Sequence, residues 1–62
     1  MNVIESSTGY PALAWSVTRL RSGEQVTLVD VDIPNKQVMV ESLRNDDVWM
    51  VPLSKTNLKL EQ

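Results

Sequence analysis

Sixty-two residues make one small domain at most, and with no Cys and no His the chain lacks a disulfide framework, a thiolate nucleophile, the commonest metal ligand and the usual neutral-pH proton shuttle. Zinc, haem and thiol chemistry are excluded on these grounds, and no cofactor is expected. Six Lys and Arg against eight Asp and Glu give a net charge of −2, where a general nucleic-acid binder is normally basic.

Charge is also divided along the chain. Residues 1 to 22 carry Arg19 and Arg21 against Glu5, and the remainder carries four bases against seven acids. A small acidic body suits a protein that binds another protein better than one that follows a phosphate backbone. Met1-Asn2-Val3-Ile4-Glu5 is not a basic start followed by an apolar run, and no segment approaches the roughly 20 apolar residues that span a bilayer. A cytoplasmic protein with no membrane partner is the expectation.

In chain order, Ser6-Ser7-Thr8-Gly9 are small and polar, so residues 1 to 9 read as a flexible N-terminal arm, with a single domain over 10 to 62. From Pro11 to Ser22, Leu13, Val17 and Leu20 have helical spacing, while Leu13, Trp15 and Val17 also alternate as in a strand. Pro11 at a first helical position and Gly23 beyond a basic last turn favour a short helix over 11 to 22. The β-branched and aromatic residues Trp15, Val17 and Thr18 favour a strand.

Val26, Leu28, Val29, Val31 and Ile33 then form a long strand between Ser22-Gly23 and Pro34-Asn35. Its apolar side changes between Leu28 and Val29, which predicts a bulge. After a turn at Pro34-Asn35-Lys36, a strand over Gln37 to Leu43 alternates Val38 and Val40 with Met39 and Glu41. Arg44-Asn45-Asp46-Asp47 makes a polar hairpin loop. Val48 to Leu53 is the next strand, Ser54 to Asn57 a tight turn, and Leu58 to Glu61 a short closing strand. Alternation assigns Val26, Leu28, Val38, Val40, Val51, Leu58 and Leu60 to the core.

From Leu20 to Glu61 these pieces resemble the SH3-like barrel superfamily: Gly23-Glu24-x-Val-x-Leu-Val after a long loop, a hairpin across Asp46-Asp47, and Val51-Pro52 before a one-turn 3₁₀ connection and a last strand. The resemblance implies a mostly β, five-stranded small barrel. An oligonucleotide-binding barrel is the rival topology for the same paired strands. In peptide-binding SH3 domains an aromatic-lined groove takes a polyproline II ligand. Here only Pro52 matches a ligand-contacting position, and Lys55 stands where an aromatic usually follows. A second resemblance is to the plasmid-borne type II dihydrofolate reductases, SH3-like chains that form an active pore from four copies. Their pore-lining Gln-Ile-Tyr is replaced here by Trp49-Met50-Val51, and that resemblance implies an oligomeric small-barrel enzyme.

Asp30 and Asp32 lie two apart on one strand, and the loop carrying Asp46 and Asp47 is placed to approach them. Four such carboxylates would suit a hard cation or acid–base chemistry, whereas a turn pair and a solvated strand face are the plainer account. Neither a metal site nor a catalytic residue is assigned, since Ser and Thr lack an activating base, and no enzyme is expected. On the strand from Val48 to Leu53, Trp49 and Val51 face one way and Val48 and Met50 the other, so both faces are apolar. Either the N-terminal segment covers the second face through Leu13, Val17 and Leu20, or part of that face is exposed for binding. The expected function is therefore a non-catalytic protein-interaction module or small accessory subunit. Its protein partner, or a second copy in self-association, would meet Tyr10, Trp15, Met39, Met50 and Pro52. The competing class is a nucleic-acid-binding regulator using an edge that contains Arg19, Arg21 and Arg44.

Overall fold

The structure, a computed structural model, describes residues 3–61. It is mostly β: β1 (Val3–Glu5), β2 (Val17–Arg19), β3 (Gln25–Asp32), β4 (Gln37–Ser42), β5 (Val48–Pro52) and β6 (Leu58–Leu60), with a 3₁₀ turn, η1 (Leu53–Lys55), between the last two. β2, β3, β4 and β5 form a four-stranded antiparallel sheet in that order, and β1 pairs with β6 in a second sheet. No continuous ladder closes the two sheets into a barrel. Single bridges, Ile4 to Pro11 and Leu20 to Thr56, stitch the connections to them.

The strands from β3 onward follow the alternation in the sequence. Val26, Leu28, Val38 and Val40 are fully buried on the inner face, joined by Val51, Leu53, Leu58 and Val3, with Leu60 half-buried against them. The register of β3 against β4 shifts between Leu28 and Asp30, so Val29 is the extra residue of a bulge. That shift lets Leu28 and Val31 both face inward despite their odd spacing.

Three expectations are corrected. The flexible arm over residues 1 to 9 contains β1: Val3 and Ile4 are buried, and Val3, Ile4 and Glu5 pair with Leu60, Lys59 and Leu58. Only Ser6 to Gly9 remain as an exposed turn, closed by the Gly9 amide on the Glu5 carbonyl at 2.8 Å, while Met1 and Asn2 lie outside the described residues. β1 forms because the last strand otherwise offers an unpaired edge, and three residues are too few to show a period.

Residues 11 to 22 form no helix. The Ala12 amide donates to the Val3 carbonyl and the Leu28 amide to the Ser16 carbonyl, so the segment's backbone is satisfied by strands on both sides. A lone short helix gains little without a packed face, and Leu13 and Val17, which would have made that face, are exposed. The same exposure overturns the cover expected from Leu13, Val17 and Leu20 over the outer face, of which only Leu20 is half-buried.

Candidate interaction surface

Register fixes which residues share the outside of the four-stranded sheet. Val17, Thr27, Glu41 and Val48 form one cross-strand row, and Asp30, Met39 and Met50 form the next. Val17 is 57% exposed, Val48 48% and Met50 39%, with Met39 half-buried between its neighbours. Val17 and Val48 therefore stand at the two ends of a row whose middle is the polar Thr27 and Glu41, beside the Met39–Met50 pair, on a surface that no described element covers.

Trp15 lies just before β2, at the edge of this sheet. Its amide and the Ser16 carbonyl both bond to Leu28, so Trp15 and Ser16 together oppose one residue of β3 beside the Val29 bulge. Trp15 has φ of 67° and is 66% exposed. A bulky L-residue in the left-handed region costs about 1–2 kcal/mol, and burial does not offset that cost here.

The structure brings some expected site residues together and separates others. Met39 and Met50 are direct cross-strand partners, and Pro52 follows on the same strand, paired with Gln37. Tyr10 is elsewhere. Its carbonyl accepts from the Glu5 amide at 2.9 Å, which ties it to β1 and the other sheet, although its ring is as exposed as that of Trp15. Of the Trp49-Met50-Val51 triplet, Val51 is buried and Trp49 packs against the core, so Met50 alone faces outward.

The arginines divide between two grooves, Arg19 and Arg21 lining one with Thr56 and Asn57 and Arg44 another. Arg19 pairs with Gln25, and Gln25 lines an open groove with Arg44, Ser22 and Gly23. Arg21 is engaged already, its Nε donating to the Ser54 carbonyl at 2.6 Å and its amide to the Lys55 carbonyl at 2.8 Å. Glu24 shares the groove with Arg44, and Asp46 and Asp47 follow in the same loop. Charge of both signs therefore meets there.

The four aspartates are not a cluster. Asp30 and Asp32 lie toward the Pro52 end of the sheet, where Asp30 Oδ1 caps the Val31 amide and Asp32 Oδ2 accepts from Asn35 Nδ2, both at 2.8 Å. Asp47 sits at the other end, paired through its carbonyl with the Ser42 amide. Among the described residues no group of three or more His, Cys, Asp or Glu is placed to hold a metal ion, and no helix is long and apolar enough to cross a membrane.

A polar knot escaped the sequence reading. The Thr18 hydroxyl, on the inner face of β2, donates to Asn57 Oδ1 at 2.7 Å, while the Asn57 amide donates to the Arg19 carbonyl and its carbonyl accepts from the Ser6 amide. One residue, through its side chain and its backbone, thus ties β2, the end of β1 and the entry to β6. Comparison with protein families, curated proteins and solved structures finds no match for the chain.

Proposed function

We propose that the protein is a non-catalytic interaction module or small accessory subunit that binds a protein partner through the outer face of its four-stranded sheet. The observation that carries this reading is the apolar part of that face: Met50 is exposed beside its cross-strand partner Met39, Val48 is exposed two residues before it on the same strand, and exposed Val17 lies across Thr27 and Glu41. Contiguous exposed apolar groups with a polar rim mark interfaces. Trp15 supports it, since a costly backbone conformation spent on an exposed aromatic points toward use rather than packing. For the architecture we propose an open SH3-like barrel. Its support is the order of long connection, three-stranded meander, 3₁₀ turn and last strand, with β1 paired to that last strand and Leu20 bridged to Thr56.

Photo-crosslinking groups at Val17 or Met50 should give saturable protein adducts that unlabelled protein competes away, while the same group at the exposed Ser7, in the turn after β1, gives none. Equal adducts from all three positions, or none from any, would refute the outer face. Titration with duplex and single-stranded DNA at two salt concentrations tests the competing class. Tight binding that weakens steeply with salt would move the reading to the arginines, because phosphate contacts release counterions.

A further inference from the structure

Among the described residues β5 is the last strand of its sheet, and its outer edge has a definite pattern of donors and acceptors. The Ser42 amide donates to the Asp47 carbonyl and the Leu53 amide to the Lys36 carbonyl, both in the register that pairs Met39 with Met50. Antiparallel ladders alternate between bonded and non-bonded pairs, so Asp47, Trp49, Val51 and Leu53 direct their backbone groups at β4. Val48, Met50 and Pro52 direct theirs away from the sheet. Pro52 fits this rule, because its missing N–H lies on the side where no ladder bond is lost.

Proteins usually protect such edges with charge, proline, a bulge or very short strands, and of these β5 has only Pro52, at its end. β1 carries Glu5, β2 carries Arg19, β6 carries Lys59, and each has three residues. β5 has five residues, Val-Trp-Met-Val-Pro, with no charge and no bulge.

We infer that β5 pairs edge to edge and antiparallel with β5 of a second copy of this chain, about a two-fold axis at Met50. This deepens the protein-binding reading and rests on it for the class of partner. The Met50-centred register is the one that overlaps all five residues. It exchanges N–H···O=C bonds between the two Met50 residues and lets each Val48 amide donate to the Pro52 carbonyl of the second copy, while the Val48 carbonyl, facing a proline nitrogen, stays with water. The two Met50 side chains then lie adjacent on the outer face, joining both Met39–Met50 pairs into one apolar stripe. Charge favours the same arrangement. The acidic entry to β5, Asp46 and Asp47, meets the η1 end of the other copy, where Lys55 is exposed.

Residue-resolved amide hydrogen exchange on the unmodified protein, from dilute solution to about 1 mM, tests this together with sedimentation equilibrium. As dimer forms, the Val48 and Met50 amides should slow about tenfold by the point where about nine in ten chains are paired. Trp49 and Val51, already bonded to β4, should change far less. Association that leaves Val48 and Met50 in fast exchange overturns the edge pairing and leaves the outer face as the contact. A monomer at every concentration overturns the inference without touching the crosslinking test of the face. Two variants then test the axis. Met50→Lys and Met50→Glu should each be monomeric, and their equimolar mixture should associate; a mixture that stays monomeric rules out Met50 facing Met50.

Discussion

The two faces of the four-stranded sheet are built from similar side chains and have opposite fates. Inside, Val26, Leu28, Val38 and Val40 have almost no exposure, closed over by Val3, Leu53 and Leu58 from β1, η1 and β6. Outside, Val17, Val48 and Met50 stand on the same strands or their neighbours with no described element over them. Apolar character therefore does not identify the core of this chain; what identifies it is which side the second sheet can reach. In a domain of 62 residues, one layer is all that β1 and β6 supply.

The largest expected effect breaks that contrast directly. Leu28→Ala removes a fully buried side chain and should cost about 2–5 kcal/mol, a large share of a small domain's stability. Met50→Ala, on the outer face, should change stability by less than about 0.5 kcal/mol. Urea denaturation of the two variants measures both. Comparable losses would mean that the outer face is packed in solution.

A middle-sized effect concerns how the two sheets are held together. Asn57→Ala leaves the Thr18 hydroxyl, buried on the inner face of β2, without its 2.7 Å acceptor. An unsatisfied buried hydroxyl costs about 1–3 kcal/mol. The double variant Thr18→Val with Asn57→Ala should recover part of that loss, because no hydroxyl is then left unpaired. A double variant no better than the single one would show that the loss comes from the Arg19 amide, the other donor to Asn57 Oδ1.

How much of this was legible in the sequence follows from where contacts are local. β3, β4 and β5 alternate with period two and are separated by Pro34-Asn35 and Asn45-Asp46-Asp47, so hairpin neighbours and the Val29 bulge could be read directly. β1 could not. Its partner is β6, with Val3 opposite Leu60, and three residues beside Ser6-Ser7-Thr8-Gly9 carry no period. Thr18 and Asn57 were invisible for the same reason: a polar pair 39 residues apart has no sequence signature. Over 11 to 22 helical and strand spacings coexist, and the choice was made by Val3 and Leu28, which supply the backbone bonds. Of the interaction surface, the apolar outer side of β5 was readable from alternation. The distance of Tyr10 from it was not, since that depends on Glu5 holding Tyr10 beside β1.

The smallest effect compares two turns of one design and sharpens the contrast between residues placed for stability and residues placed for another use. The Gly23 amide donates to the Leu20 carbonyl and the Lys36 amide to the Ile33 carbonyl, at 2.9 and 3.0 Å, and both fourth positions have positive φ, 95° and 54°. Glycine fills the first turn and lysine the second, although a hairpin turn of this kind favours glycine there. Lys36→Gly should stabilise by about 0.5–1 kcal/mol, since relief of the left-handed strain exceeds the entropy glycine adds to the unfolded chain. Trp15→Gly removes the same strain at φ of 67° from a ring that is mostly in water, so thermal unfolding should show no loss and a gain of up to about 1 kcal/mol. Crosslinking from Val17 or Met50 should nevertheless fall in Trp15→Gly and persist in Lys36→Gly. A destabilised Trp15→Gly would show that the indole packs in solution, and Trp15 would then belong with Leu28 rather than with Met50.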